Sequence, residues 1–403
     1  MITAVLVLSF LSFIGLGLPD GLLGVAWPSV RAEFGRQMGA IAWFLAAESL
    51  GYFLSSVGSG RTVRRAGLGW TLFSGALAMA AGLLLVSLAP RWLLLVGGFA
   101  LIGAGAGLID SGFNAYAAHH FSATAMNWMH ACYGIGATVG PPIVTLSMLQ
   151  LGSWRWAYAG AALFLAAVSL LLLRTRRRFA KDAVVGVTQP GRSAALATPP
   201  DSTAQSAAAS TPSPARQQVL VWGGVLLFLL YAGSEVSAGQ LTYSLLTEGR
   251  GMDPVKAGFW VGAFWFSLTG GRFLLGPLSQ RIGSPRVLRG AFALGAAAAL
   301  LFWLGIAPTV DGVALSLIGF CMAPIFPLLV LQTPQRVGVS RAHDVIGYQM
   351  GAATLGSVLL AGGGGMLADA VGLAVVAPYI LLLLLLSAGL YAVLTIVQRS
   401  VVE

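Results

Sequence analysis

The sequence predicts an all-α membrane protein in which twelve transmembrane helices form two pseudo-symmetric six-helix bundles. Three observations support this prediction: an apolar composition, a series of separate apolar segments, and a repeat that relates the two halves of the chain. The 403 residues are 57% hydrophobic and only 9% charged, with a mean hydropathy of +0.84. Soluble domains carry about 25% charged residues. So few charges cannot cover a water-exposed surface, which excludes a soluble globular protein, a disordered chain and a coiled coil.

The apolar segments are long enough to cross a bilayer one by one. A transmembrane helix needs about 20 mostly apolar residues, and the alternating pattern of a membrane β-barrel is absent. The twelve predicted spans lie at 2–27, 37–60, 67–89, 91–118, 125–149, 154–173, 217–247, 255–280, 285–306, 308–333, 342–369 and 371–397.

The region between spans 6 and 7 has a different composition. Residues 175–216 are rich in Ser, Thr, Ala and Pro and show no apolar periodicity, which is typical of a flexible linker. We therefore divide the chain into an N-terminal six-helix bundle (1–174), a cytoplasmic flexible linker (175–216) and a C-terminal six-helix bundle (217–403).

Equivalent loops of the two halves share a short motif. The pattern G-x4-R-x-G occurs at 60–67, after span 2, and again at 276–283, after span 8. The motif is short, but its position at matching loops indicates two parallel six-helix repeats. Its arginines, Arg65 and Arg281, and Arg272 within span 8 are candidate gating residues on the inner side of the membrane.

The distribution of Lys and Arg predicts the orientation. With a cytoplasmic N-terminus, the loops after even-numbered spans and the C-terminus hold 16 of the 23 Lys and Arg residues, and the opposite loops hold 6. Positive charge accumulates on the cytoplasmic side of membrane proteins. Both termini are therefore expected in the cytoplasm, in a multi-pass protein of the cell inner (plasma) membrane. The same rule explains the net charge of +10 without a nucleic-acid partner.

Ionisable side chains inside the predicted spans are the candidate functional residues, because burying them in a membrane is costly. Four acids lie well inside spans, and one histidine lies near the start of span 5. They are Asp20, Glu48, Asp110, Glu235 and His130. For each of them the alternative is a structural role in helix packing.

Span 4 places a carboxylate beside an amide. Asp110 and Asn114 are one helical turn apart and therefore share a face. This pair suits sugar hydroxyls, which need neighbouring donors and acceptors. A buried carboxylate can also carry a proton, and a histidine such as His130 can relay one.

Span 7 carries a second polar segment. Glu235 lies at its centre, with Tyr231 one turn before it and Gln240 after it. The ring of Trp265 in span 8 could stack on a sugar, although aromatic residues at helical spacing more often pack against helices or lipid.

Enzyme motifs are absent from the sequence. It contains no G-x-S-x-G, H-E-x-x-H, C-x-x-C or G-x4-G-K-[ST] pattern. We therefore expect no enzyme activity and no ATP-driven step within this chain. Cys132 and Cys321 lie in apolar segments, where they are expected to pack rather than to form a disulfide or hold a metal. No cofactor is expected beyond a proton as the coupling ion.

Several segments resemble the major facilitator superfamily, and within it the fucose–proton symporter branch and related sugar permeases. They are LPDGLLGVAWPSV in span 1, GLIDSGFNAY and MNWMHACYGIGATVGP in spans 4 and 5, GGRFLLGPLSQRIG in span 8 and GFCMAPIFPLLVLQTPQRVG in span 10. The resemblance implies the major facilitator fold, with Asp20 and Asp110 serving sugar recognition and proton coupling. The chain departs from that branch at His130 and Glu235, where the branch has amides. The stretch GSGRTVRRAG also lacks the acid that usually follows span 2.

Together these features predict a proton-coupled secondary active transporter that moves a sugar or similar hydroxylated small solute by alternating access. Asp110 would carry the proton, Asp20 and His130 would tune it, and Glu235 would contribute from the second half, with Glu48 as a further coupling candidate. The predicted substrate-binding residues are Asp20, Asp110, Asn114, His130, Glu235, Gln240, Tyr231 and Trp265. The alternative is a proton-driven exporter (antiporter) of drugs, siderophores or metabolites, and a third class is a non-transporting receptor or scaffold. The expected partners are the small-molecule substrate and the lipid bilayer, and the expected state is a monomer.

Overall fold

The computed structural model describes residues 2–180 and 214–399, and nearly all of this part of the chain is helical. The first range contains α1 (Ile2–Glu33), α2 (Ile41–Ala66), α3 (Leu68–Leu88), α4 (Trp92–His120), α5 (Ala123–Leu151) and α6 (Arg155–Ala180). The second contains α7 (Pro214–Ser244), α8 (Pro254–Ile282), α9 (Ser284–Leu304), α10 (Pro308–Met322), α11 (Ile325–Val337), α12 (Val339–Val371) and α13 (Val376–Arg399). Single helical turns lie before α2 (Met38–Ala40), after α7 (Leu245–Gly249) and before α13 (Leu373–Val375).

The twelve predicted spans are confirmed as helices. Among the described residues, eleven segments are long and apolar enough to cross a membrane. The remaining span is α8, which is 29 residues long but contains Lys256, Arg272 and Arg281. The tenth span consists of α10 and α11, which are separated at Ala323 and Pro324. Pro324 has no N–H with which to continue the hydrogen-bond ladder of α10.

The helices pack as two groups of six spans, here called the N half and the C half. In the N half α1 packs on α5, α2 on α4, and α3 on both α4 and α6. In the C half α7 packs on α12 and α13, α8 on α10, and α9 on α10 and α13. The halves meet mainly through the pairs α1–α7, α2–α12 and α5–α8. This is the predicted pair of six-helix bundles.

Helix extends into both ends of the predicted linker, 175–216. Helix α6 continues to Ala180 and α7 begins at Pro214, so both ends of the predicted linker are helical. Arg177 and Arg178 lie in the last turn of α6, where positive charge stabilises the C-terminus of a helix. The rest of the predicted linker, 181–213, lies outside the described residues.

The two copies of the G-x4-R-x-G motif form the same backbone turn. Gly67 joins α2 to α3 with φ +84° and ψ 157°, and Gly283 joins α8 to α9 with φ +88° and ψ 137°. Glycine adopts such a positive φ without the steric cost that a Cβ imposes. The chain thus reverses in the same way at matching places of both halves, which confirms the predicted repeat.

Three helices of the N half are tied together by Arg155 at the start of α6. Its guanidinium donates hydrogen bonds to the carbonyls of Ser87 and Ala89 at the end of α3, each at 2.8 Å. It also forms a 2.6 Å ion pair with Glu33 at the end of α1. The ends of α1, α3 and α6 are therefore held as one unit.

The C half has a corresponding tie in Arg250, which follows α7. This arginine donates to the carbonyl of Phe302 in α9 at 2.7 Å and forms a 2.8 Å ion pair with the buried Asp311 of α10. The guanidinium also lies over the Phe302 ring. Each half is thus stabilised internally, independently of the other.

Candidate functional site

The two halves are joined at one end of the molecule. We call the end at which α1, α5 and α7 finish the closed end, and the opposite end the open end. Among the described residues, the hydrogen bonds and ion pairs between the halves lie from the middle of the molecule to the closed end. Backbones also touch there, because a Cβ at Gly24 of α1 would lie 2.6 Å from the carbonyl oxygen of Gly239 in α7. Toward the other end, His130 of α5 and Arg272 of α8 are exposed and interact electrostatically across the interface. We call the space between these two walls the cavity, and it faces the open end, which the charge distribution predicts to be cytoplasmic.

Two polar contacts fasten the closed end, and we call them the closed-end latch. The carboxylate of Asp369 in α12 accepts hydrogen bonds from the backbone N–H groups of Met38 (2.7 Å) and Gly39 (2.8 Å), just before α2. Arg31 of α1 forms an ion pair with Glu248, which follows α7. Both contacts join the N half to the C half, so both must break for the closed end to open.

The N-half wall of the cavity is a chain of four hydrogen-bonded side chains. The hydroxyl of Tyr52 donates to Asp110 Oδ2 at 2.6 Å, and the amide of Asn114 donates to Asp110 Oδ1 at 2.8 Å. The Nε2 atom of His130 lies 3.1 Å from Asn114 Oδ1. It donates there, because an amide oxygen only accepts. His130 is exposed and Asp110 is half-buried, so the chain leads from the open cavity to the carboxylate.

Asp20 of α1 lies where the halves meet. Its carboxylate accepts a hydrogen bond from the hydroxyl of Tyr133 in α5, and its backbone carbonyl accepts one from Gln240 Nε2 of α7 at 3.1 Å. The carboxylate of Glu235 interacts electrostatically with Asp20 across the interface. Tyr133 can reach Asp20 because α1 and α5 pack closely at Gly17, where a Cβ would lie 1.9 Å from the Tyr133 carbonyl oxygen.

The C-half wall contains Glu235 and Tyr231 of α7 and Arg272 of α8. The hydroxyl of Tyr231 is hydrogen-bonded to Glu235 Oε2 and lies 3.0 Å from the carbonyl oxygen of Met322. Arg272 Nη2 is 3.8 Å from Glu235 Oε1, and 39% of the arginine side chain is exposed. Because this ion pair is long and partly exposed, a polar solute in the cavity can compete for either partner.

Three other predicted site residues lie away from the open part of the cavity. Glu48 of α2 is half-buried and interacts electrostatically with Asp20. Trp265 is 5% exposed because its ring packs over Gly239, so it offers no stacking face to a sugar in this arrangement. Gln240 is 1% exposed and takes part in the contact between α1 and α7 rather than in the cavity wall.

The three predicted gating arginines occupy different places. Arg65 and Arg281 are exposed at the open ends of α2 and α8. Arg272 lies deeper and faces Glu235 inside the cavity. In the part of the chain that is described, the contacts that close one end of the cavity belong to the closed-end latch instead.

Two tyrosines of the site were missed in the sequence, although the helical spacing contains a signal for both. Tyr52 follows Glu48 by one turn on α2, and Tyr133 follows His130 by about one turn on α5. Each is the hydrogen-bond donor to one of the predicted carboxylates. A tyrosine one turn from a polar residue of a membrane helix is therefore a candidate donor to a buried carboxylate.

A separate apolar groove lies between α5 and α8. Its volume is about 530 Å³, and its lining includes the exposed side chains of Leu146, Phe259 and Phe266. These side chains offer no hydrogen-bond partner to a polar solute. The polar cavity between the halves is therefore the candidate functional site.

Comparisons with known proteins agree with this architecture. A sequence profile of the Major Facilitator Superfamily matches residues 5–361. The chain is 22% identical over 390 residues to the sodium-dependent glucose transporter 1 of Homo sapiens, with 86% of this chain and 71% of that protein covered. It is 24% identical over 285 residues to the bypass of stop codon protein 6 of Saccharomyces cerevisiae. That match covers 67% of this chain, and the chain spans 56% of the length of the yeast protein.

The fold is shared with a solved structure. A crystal structure of the nucleoside transporter NupG superposes with a TM-score of 0.69 at 14% sequence identity, covering 98% of this chain and 99% of that one. The profile match, the helix count and the two-half architecture lead to one conclusion. The chain is a multi-pass membrane transporter and not an enzyme, and it belongs to the Major Facilitator Superfamily.

Proposed function

We propose that this transporter is proton-coupled and moves a sugar or a similarly hydroxylated small solute by alternating access. The observation that carries the proposal is the hydrogen-bonded chain of Tyr52, Asp110, Asn114 and His130 on the cavity wall. The glucose and nucleoside transporters to which the chain is similar are named for solutes that carry sugar hydroxyls. This likeness supports the proposed class of substrate.

A hydroxylated solute finds both kinds of partner on this wall. Asp110 accepts hydrogen bonds, His130 offers a ring N–H, and Asn114 can do both through its amide. A sugar hydroxyl both donates and accepts, so it can replace the contact between His130 and Asn114 without leaving a polar group unpaired. Arg272 and Glu235 on the opposite wall offer a second donor and acceptor set.

The same carboxylate serves proton coupling. Asp110 is half-buried inside the membrane-spanning part of the protein, where a negative charge is costly. Uptake of a proton removes that charge, and the exposed His130 gives the proton a route from the cavity. If substrate and proton each favour the same orientation of the halves, each promotes the movement of the other.

Flux measurements in proteoliposomes with an internal pH dye test this proposal. A panel of neutral sugars is added to the full-length protein without an imposed gradient. The transported sugar should acidify the interior, and Asp110→Asn should abolish acidification while retaining exchange of labelled sugar. Asp344→Asn, at an exposed carboxylate of α12, is the matched control and should behave like the parent. Sugar flux that requires sodium and moves no protons would overturn the proton coupling.

An exporter of cationic compounds is the second candidate, and the charge of the site favours it. Asp20, Asp110 and Glu235 lie around a cavity whose described fixed cation is Arg272. An excess of carboxylates attracts cations. In the same liposomes, proton release driven by lipophilic cations but by no sugar would establish the exporter.

A further inference from the structure

The hydroxyl of Tyr231 faces two acceptors with a single hydrogen. Glu235 Oε2 lies on one side of it, and the carbonyl oxygen of Met322 lies 3.0 Å away on the other. The tyrosine side chain is 1% exposed, so water cannot supply a missing donor. A phenol has one O–H donor and can also accept. Which acceptor it serves must therefore depend on the proton carried by Glu235.

Two hydrogen-bond patterns are possible at this site. When Glu235 is ionised, the Tyr231 hydrogen goes to the carboxylate, because a charge-assisted bond is stronger than a bond to a neutral carbonyl. Met322 then loses this donor. When Glu235 is protonated, its own O–H can donate to the Tyr231 oxygen, and Tyr231 can donate to Met322. Only in the second pattern do the Glu235 carboxyl, the Tyr231 hydroxyl and the Met322 carbonyl all have a hydrogen-bond partner.

Met322 is not an ordinary helical residue. It is the last residue of α10, next to the break at Ala323 and Pro324 that separates α10 from α11. Carbonyl groups at the end of a helix lack the intrahelical partner that interior ones have. A bond from Tyr231 therefore fastens this break to α7, and its loss releases the break.

We propose that Tyr231 is a positioning residue that transmits the protonation of Glu235 to the break between α10 and α11. Protonation fastens the end of α10 to α7, and deprotonation frees α11 to move relative to α7. The inference rests on the proposed proton coupling, and it assigns to Glu235 and Tyr231 a mechanical task at a specific joint of the C half.

The charged groups around Glu235 bear on this switch from three other helices. Arg272 of α8 attracts the carboxylate at 3.8 Å. Asp20 of α1 repels it across the interface. Tyr133 of α5, which donates a hydrogen bond to Asp20, also interacts electrostatically with Glu235. Separation of the halves removes Asp20 from this set, so the charges that face Glu235 depend on the orientation of the halves.

Pulsed EPR distances between α7 and α11 test the switch. Spin labels are attached at Leu226→Cys and Leu331→Cys, both exposed positions, after Cys132 and Cys321 are replaced by serine. The full-length protein in nanodiscs is measured at acidic and alkaline pH without substrate. We expect the distance distribution to shift by about 2 Å between the two conditions, as for the small helix movements of other switches.

Variants of the two switch residues separate the possible outcomes. Glu235→Gln has an amide donor for Tyr231 and should show the acidic distance at every pH. Tyr231→Phe should abolish the shift, whereas Tyr379→Phe should not. Tyr379 is the matched control, because its hydroxyl serves one carbonyl, that of Leu360 at 2.8 Å.

Two results would overturn the switch. One is a pH-dependent shift that persists in Tyr231→Phe, and the other is a Glu235→Gln protein that keeps the alkaline distance. Both are read without sugar or a gradient. The EPR test can therefore contradict the switch while sugar-driven acidification supports proton coupling. A distance shift without sugar-driven acidification would be detected as well.

Discussion

Gly39 in the N half donates its backbone N–H to Asp369 in the C half at 2.8 Å. The neighbouring N–H of Met38 donates to the other oxygen of the same carboxylate at 2.7 Å. A carboxylate is favourable at this place, because the N-terminus of a helix has free N–H groups and a partial positive charge. Asp369 therefore stabilises the state in which the closed end is shut.

Asp369→Asn should open the closed end more often. The amide keeps the size of the side chain but loses the charge and one acceptor oxygen. A hydrogen bond to a charged group contributes about 1.5–3 kcal/mol. Alkylation of a cysteine at Met38, which is 1% exposed, should accelerate about tenfold or more in a protein without Cys132 and Cys321. Asp344→Asn is the control, and an unchanged rate in Asp369→Asn would contradict a stabilising role.

The second contact of the closed-end latch should matter less. Arg31 and Glu248 are 22% and 38% exposed, and exposed ion pairs contribute about 0.2–1 kcal/mol. Arg31→Glu and Glu248→Arg should each accelerate alkylation at Met38 less than fivefold, and the double exchange should restore the parental rate. If the two substitutions accelerate alkylation independently in the double variant, the ion pair itself does not stabilise the closed end.

Loss of the Asn114 amide should impair transport. Asn114→Ala removes the donor to Asp110 and the acceptor of His130. Leaving partly buried polar groups unpaired costs about 1–3 kcal/mol each, so we expect sugar-driven proton uptake to fall at least about tenfold. Asn127→Ala, at an exposed asparagine of α5, is the control. If both variants transport equally well, the chain on the N-half wall is not the substrate site.

Neutralising Arg272 should weaken sugar binding by leaving the Glu235 carboxylate without an ion-pair partner. Arg272→Gln leaves the Glu235 carboxylate, whose side chain is 17% exposed, without its 3.8 Å partner. An unpaired charge that is mostly buried is costlier than the loss of both charges. We therefore expect Arg272→Gln to bind the transported sugar more weakly than the double variant with Glu235→Gln. Binding measured by calorimetry for both single variants and the double variant gives their coupling. Additive effects would mean that the two side chains act independently.

Gly17→Ala should destabilise the N half. A Cβ there would lie 1.9 Å from the Tyr133 carbonyl oxygen, and overpacking of a tight contact costs about 1–3 kcal/mol. The Tm of the purified protein should fall by several degrees. Gly160→Ala on α6 is the matched control, because a Cβ at Gly160 meets no atom within 4 Å. An equal Tm for both variants would show that α1 and α5 can move apart without cost.

The fold could be read from the sequence because the membrane limits the possible structures. Apolar segments of sufficient length must be helices, and the repeated glycine turns at Gly67 and Gly283 mark equivalent places in the halves. The sequence did not show where the helices next to the linker end. The sequence pattern lost its apolar character at 175, whereas the helix continued to Ala180, since polar residues also form helices outside a membrane.

The site was predicted in its residue types but not in its pairings. Asp110 and Asn114 are close in sequence, so their contact followed from helical spacing. The partners of Asp20 and Glu235 come from other helices, and one sequence contains no information on which helix faces meet. The same limit applies to Asp369 and Gly39, which are 330 positions apart. Their contact depends on how the halves are oriented.

The arginine ties at Arg155 and Arg250 have a consequence for energetics. Because each half is held together by its own contacts, reorientation changes few bonds inside either half. The free-energy difference between the two orientations is then set mainly by the contacts between the halves, such as the closed-end latch. A secondary carrier of this kind can run in either sense. Solute and ion concentrations on the two sides of the membrane, rather than the protein, would then decide whether a cell gains or loses the solute.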